Sequence, residues 1–178
     1  MEITYDIVLP DVPLFQAGGQ RDALIEGMLV ERVELVAQYL AGVVSRTAPV
    51  NFGHLAQSFG ALPATAEGGI DVQPPTGDRT VHGRVFSSLP HAIVMEEGRT
   101  PGARMPPLPA IALWAQRKLG LGVEEAEAAA YVIARSIARK GIEGRHFAQK
   151  AVDQSGAQID AIFEMFAQEL VSRLQGGR

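Results

Sequence analysis

The 178-residue chain is long enough to form one domain with a substantial core, and its 47% hydrophobic and 20% charged residues are typical of a globular protein. A formal net charge of −4 provides no overall positive field to attract nucleic acid. The absence of cysteine excludes disulfides, thiolate metal sites and a cysteine nucleophile. With no signal-peptide pattern and no apolar run near the roughly 20 residues that span a bilayer, we expect a soluble, cytoplasmically made single domain over residues 1–178.

The first half of the chain predicts a long helix and a small sheet. Alternating β-branched residues indicate a strand at Glu2–Leu9, and apolar residues at steps of three and four indicate a helix at Arg21–Ser45. A short helix or turn is expected at Asn51–Phe59. Two more strands, Gly69–Gln73 and Arg79–Ser87, flank a turn of hairpin length. We therefore predict an antiparallel sheet of three or four strands.

The second half predicts helices behind a Pro/Gly-rich loop at residues 96–109. Pro107 can begin a helix that carries Trp114, the only tryptophan. Two longer helices are expected at Val123–Lys140 and Gly144–Gln175. The predicted fold class is α+β, in which the small antiparallel sheet packs with the long N-terminal helix and a helical C-terminal half.

No pattern of catalytic or ligand-binding residues stands out in the sequence. The four histidines are far apart and form no HExxH pair, the serines lack a GxSxG setting, and neither GxGxxG nor GxxxxGK[ST] occurs. We predict no enzymatic activity, no catalytic, cofactor-binding or metal site, and no cofactor. A small hydrolase whose serine, histidine and acid meet only in space remains a rival hypothesis.

The acidic pair Glu96 and Glu97 could be read as catalytic carboxylates. Neighbouring side chains in an extended chain point to opposite sides, which disfavours a shared proton. We expect instead that one carboxylate caps a backbone segment or pairs with Arg99 or Arg104.

A second alternative is a helix-turn-helix DNA-binding protein. Residues 124–150 read as a helix, a turn at Gly141–Ile142 and another helix. Basic residues surround the turn: Arg135, Arg139, Lys140, Arg145 and Lys150. Both helices are longer than those of the usual motif, and basic residues also stabilise a helix C-terminus without binding DNA.

Three segments in order resemble the phage head–tail joining (tail-completion, or neck) protein family. Residues 48–58, APVNFGHLAQS, are similar to the family's "PVxTGxLxxS"; residues 91–100, HAIVMEEGRT, to its "YAxxVExGT"; and residues 137–147, IARKGIEGRHF, to its "I…xGTxGxxF". The resemblance covers roughly residues 20–175. The chain departs from the pattern at Phe52, His91 and Ile142, where the family often has Thr or Ser, Tyr, and Thr.

The resemblance implies a non-enzymatic structural protein of the virion, assembled in the host cytoplasm. Such a protein forms a ring, of sixfold symmetry in the family, that completes the tail and joins its tube to the head connector. DNA would pass through only as cargo, and no membrane would be involved. We interpret residues 96–109 as a stiff docking arm rooted at Trp114. The predicted subunit contacts are Glu97, Arg99, Arg104, Met105, Trp114, Arg145 and Phe147.

Overall fold

The computed structural model describes residues 2–8, 20–49, 53–75 and 80–176. In chain order the elements are β1 (Glu2–Val8), α1 (Gln20–Thr47), α2 (His54–Phe59), β2 (Gly68–Gln73), β3 (Thr80–Ser87), α3 (Pro90–Glu97), β4 (Gly98–Arg99), α4 (Leu108–Leu119), α5 (Val123–Lys140), β5 (Ile142–Glu143) and α6 (Phe147–Gly176). The predicted α+β class is confirmed.

The sheet is antiparallel and has three strands in the order β1-β3-β2. Ile3 lies opposite Val85 across the first pair, and Ile70 lies opposite the same valine across the second. The sheet predicted from the alternating residues is thus confirmed. The turn predicted between β2 and β3 and the first two residues of the short element predicted at Asn51–Phe59 lie partly or wholly outside the described residues.

Helix α1 provides the largest contribution to the core. The apolar stripe read from the sequence is buried throughout: Ile25, Leu29, Val33, Val36, Leu40 and Val43. A Cβ on Gly83 would lie 2.6 Å from the Val33 Cγ1 atom, so a glycine in β3 allows α1 to approach the sheet closely. The larger core cluster joins α1 to α2, β2, β3, α3 and α6.

Helix α6 packs along α1 and continues the core on its other side. Arg32 of α1 forms an ion pair with Glu169 of α6, which also binds Arg173 at 2.7 Å. The hydrogen bond from Arg173 is the main reason that the pKa of Glu169 lies below its usual range. Because these charged side chains are at least partly exposed to solvent, we attribute the stability of the α1–α6 pair mainly to the buried apolar faces.

Helices α4 and α5 form a separate antiparallel hairpin. Their contact faces are small, with Ala112 and Ala115 of α4 against Ala126, Ala130 and Ala134 of α5 all buried. None of the described hairpin residues belongs to either apolar core cluster. The hairpin therefore extends from the main body and is attached to it through β4 and β5.

The predicted loop at residues 96–109 is shorter in the structure. Its first two residues end α3, the next two form β4, and its last two begin α4, which leaves residues 100–107 as the connection.

Helix α3 was not predicted, because eight residues with Pro90 in the first turn show little apolar periodicity. Helix α6 begins at Phe147 rather than at Gly144, since the preceding residues pair with the end of α3.

Replacing Gly156 with alanine is expected to stabilise the protein by about 0.5–1 kcal/mol, because glycine in a helix interior costs conformational entropy. Gly156 is exposed within α6, and a Cβ there would meet nothing within 4 Å. Urea unfolding followed by circular dichroism measures the change. A midpoint at or below that of the wild-type protein would contradict the expectation.

Candidate functional site

The three segments that carry the family resemblance converge in space. The first segment includes most of α2, the second spans α3 and β4, and the third runs from the end of α5 through β5 to the first residue of α6. Each contributes to the larger core cluster, through Leu55, Ala92 and Phe147 respectively. Segments separated by dozens of residues thus build one continuous structure.

The second and third segments are joined by main-chain hydrogen bonds. We use the term junction for this pair of strands and their flanks, residues 95–102 and 138–149. β4 pairs antiparallel with β5, and beyond them the Arg145 N–H donates to the Met95 carbonyl at 2.9 Å and the His146 N–H to the Glu96 carbonyl at 3.0 Å. At the other end the Gly102 N–H donates to the Ala138 carbonyl at 2.7 Å. The junction therefore fixes where the α4–α5 hairpin leaves the body.

Glu96 is the buried charged residue of the junction, with 9% of its surface exposed. Its carboxylate oxygens accept hydrogen bonds from the Ala148 N–H at 2.9 Å and the Gln149 N–H at 3.1 Å. These N–H groups lie in the first turn of α6, where they lack partners within the helix and the helix dipole favours a negative charge. Glu96 thus caps a helix that begins 51 positions later in the chain.

The expectation that one member of the acidic pair caps a backbone segment is confirmed, so the alternative, in which this carboxylate pairs with Arg99 or Arg104, is not needed to explain its burial. The carboxylate accepts hydrogen bonds from backbone N–H groups. These hydrogen bonds stabilise the buried anion without a second charged side chain. Glu97 is exposed, and both glutamates lie in the last turn of α3 rather than in an extended chain.

Two glycines in the junction repeat the same local geometry. Gly98 follows α3 with φ 87° and ψ −164°, and Gly141 follows α5 with φ 77° and ψ −168°. A Cβ on Gly98 would lie 2.5 Å from the Ile142 carbonyl oxygen, and one on Gly141 would lie 2.3 Å from the Arg99 carbonyl oxygen. The close pairing of β4 and β5 thus requires glycine at both positions.

Phe147 connects the junction to the two residues that flank the first segment, Thr47 and Phe59. Its ring contacts that of Phe59 edge to face, with ring centroids 6.1 Å apart, and the Thr47 hydroxyl donates to its carbonyl at 3.2 Å. Phe147 is only 2% exposed. The prediction that it contacts a neighbouring subunit is therefore corrected: its ring is used within the chain's own core.

The first two segments also meet at a pair of histidines. The pKa of His91 lies below its usual range. Burial is the larger cause, and the nearby charge of His54 is the smaller one. In the part of the chain that the structure describes, no three histidine, aspartate or glutamate side chains are grouped so that they could hold a metal ion.

The other predicted contact residues lie along the surface of the junction and hairpin. Arg99 and Met105 are half-buried, whereas Arg104 and Arg145 are exposed. Trp114 is half-buried on α4, and the residues that root this helix are the alanines on either side of it rather than the tryptophan. Their role in subunit contacts stays a prediction.

The hairpin exposes large apolar side chains that belong to none of the sequence motifs. Those at least 40% exposed are Leu108, Leu113, Leu119, Val123, Tyr131 and Val132. A helical wheel of each helix would have identified these residues, because they fall outside the alanine stripe. An extended element with alanine inside and larger apolar residues outside is typical of a surface that binds another protein.

The turn between α5 and α6 does not have the compact form of a helix-turn-helix motif. Six residues, 141–146, separate the helices and include β5, and α6 runs for 30 residues along α1. The basic residues at the end of α5 therefore lie on the hairpin, while α6 belongs to the main body.

The fold and site together define an α+β protein with a helical hairpin attached through a hydrogen-bonded, glycine-containing junction. Comparisons with protein-family models, with curated protein sequences and with solved structures give no match for this chain. Among the described residues, no helix is both long and apolar enough to cross a membrane.

Proposed function

We propose that the chain is a structural virion protein of the phage neck, which completes the tail and joins it to the head connector as a ring. The proposal starts from the family resemblance of the three sequence segments. The observation that supports it further is that all three segments contribute to the same core cluster, through Leu55, Ala92 and Phe147, although dozens of residues separate them along the chain.

The projecting hairpin supports an assembly role for this junction. Its outer surface offers apolar side chains to a partner, and the glycines and main-chain bonds at its base keep it in a fixed orientation. A preorganised element loses little conformational entropy on docking, which favours binding. We assign contacts with the tail tube or head connector to this hairpin.

The charge of the chain suits the same role. A ring around the DNA channel must let the duplex pass without holding it, and a formal net charge of −4 per copy disfavours tight binding to phosphate. The protein would then reside in the virion neck, after assembly in the host cytoplasm.

The test is removal of the gene from the phage genome that encodes the chain, followed by electron microscopy of the lysate. We expect filled heads and separate tails in place of joined particles, and joined particles again when the gene is supplied from a plasmid. Joined, infectious particles without the gene would overturn the proposal. Binding of the purified chain to duplex DNA at low salt would favour the DNA-binding alternative instead.

Replacing Leu113 with lysine should prevent this plasmid rescue while leaving the chain folded. Leu113 is 47% exposed on the outer side of α4, so the lysine meets water in the free protein but an apolar partner surface in the neck. A point substitution is preferable to a deletion within the connection at residues 100–107, because the Gly102 N–H there donates a hydrogen bond to the Ala138 carbonyl of α5.

The matched control is Val171→Lys, a similar change at a 51% exposed position on α6, away from the hairpin. It should rescue joining at the wild-type level. Equal rescue by both variants would show that the outer face of α4 does not contact the neighbouring proteins.

A further inference from the structure

The outer face of α5 combines exposed apolar and basic side chains. Val132 is 66% exposed, and Arg135 and Arg139 follow it at steps of three and four on the side opposite the alanines that pack on α4. A groove along this face is lined by Val132, Arg135, Ser136, Arg139 and Lys140. A partner for this face must offer both an apolar side chain and an acidic group.

The outer face of α1 has that chemistry. Leu24 and Leu35 are 44% and 41% exposed, although the opposite side of the same helix forms the core. Glu31 lies between them on the exposed face, and Gly27 is also exposed, with open space where a Cβ would stand. The face is apolar and acidic where that of α5 is apolar and basic.

The spacing of these residues matches when the helices run antiparallel. Moving from Val132 to Arg135 advances three residues along α5, about 4.5 Å, and moving from Leu35 back to Glu31 covers four residues, about 6 Å. With Val132 against Leu35, Arg135 therefore lies opposite Glu31. Four residues further along each helix, Arg139 lies opposite Gly27, which leaves room for the arginine side chain.

We propose that the outer face of α5 in one copy binds the outer face of α1 in the next copy, in this antiparallel register. The two faces are different patches of the same chain, so the contact is heterologous and its repetition produces a ring if the rotation closes. Closure into a ring rests on the proposed function, whereas the pairing of the two faces rests on their charge and spacing. A second copy provides both the acid and the leucine that the α5 face requires.

Reversing one charge should weaken the contact. Glu31→Arg places two positive charges opposite each other, and Arg135→Glu places two negative ones there; either change should raise the dissociation constant per contact about tenfold. The full chain is measured by mass photometry and sedimentation over a concentration series, with circular dichroism to check folding. Glu164→Arg, an equal charge change on an exposed part of α6, is the control and should leave the assembly unchanged.

Restoration by charge exchange identifies the partner. The double variant Glu31→Arg/Arg135→Glu should assemble with the affinity of the wild-type protein, because each contact again joins opposite charges. A mixture of the two single variants should also assemble, in alternating order, since every face then meets its complement on a different copy. Assembly of either single variant at wild-type affinity, or failure of both restorations, would overturn the proposal.

The outcomes separate this inference from the neck function. A wild-type chain that stays monomeric at high concentration, yet is needed to join heads to tails, would refute the α5–α1 contact and leave the neck function standing. Rings formed by the charge-exchanged variants, together with normal joining of heads to tails in the absence of the gene, would support the α5–α1 contact and refute the neck function.

Discussion

Replacing Glu96 with alanine is expected to lower the free energy of unfolding by about 3 kcal/mol, because two hydrogen bonds from backbone N–H groups to a buried carboxylate are lost. The Ala148 N–H is itself buried and would have no acceptor in the variant. The loss also removes the negative charge at the positive end of α6. An ordinary surface cap contributes only about 0.5–2 kcal/mol, so burial accounts for the larger expected effect.

Equilibrium unfolding in urea measures this change, provided that the slope with denaturant matches that of the wild-type protein. Amide hydrogen exchange provides a local check, since the Ala148 and Gln149 N–H groups should exchange faster than those in the middle of α6. The variant Glu96→Gln retains an oxygen acceptor but no charge, and we expect an intermediate stability.

Glu97→Ala is the matched control for this prediction. It removes the same side chain from the next position of the same helix, where the carboxylate is exposed. Its effect should stay within about 0.5 kcal/mol, as is usual for surface positions. Equal losses from the two variants would mean that the buried cap does not hold the junction together.

The sequence predicted those parts of the fold that rest on local periodicity. Helix α1 shows its buried stripe in residues such as Ile25 and Leu40, and the bounds predicted for α5 coincide with the observed ones. Strand β3 likewise alternates between buried and less buried positions along much of its length. In each of these elements a residue's environment follows from its near neighbours in the chain.

The junction could not be predicted in the same way, because its partners are distant in sequence. Nothing near Glu96 indicates that its carboxylate will meet N–H groups 52 and 53 positions later. Strands of two residues, such as β4 and β5, have no period to detect. The family resemblance identified the segments involved, but their contact depends on how α3 and α6 pack in the core.

Residue size does not indicate which side of the hairpin is buried. Alanines such as Ala130 are the least conspicuous residues of α5, yet they form its buried face because small side chains let two helices approach closely. Trp114, the largest residue of α4, is only half-buried. An expectation that the bulkiest apolar residue marks the core therefore fails where two helices pair through alanine.

Replacing Gly141 with alanine is expected to destabilise the protein by about 3–4 kcal/mol, because backbone strain and a direct steric conflict act together. At φ 77° and ψ −168° the residue occupies a region open almost only to glycine. Its Cβ would also lie 2.3 Å from the Arg99 carbonyl oxygen, a backbone atom that cannot move without breaking the pairing of β4 with β5. Urea unfolding measures the total loss.

Gly120→Ala separates strain from steric conflict, because Gly120 also has a positive φ of 67° but would place its Cβ in open space. There we expect only the conformational cost of about 1–2 kcal/mol. The excess at Gly141 then measures how tightly the two strands of the junction approach. If both variants lose the same stability, the Arg99 carbonyl is free to move aside, and the hairpin is attached less rigidly than its proposed role as a docking element requires.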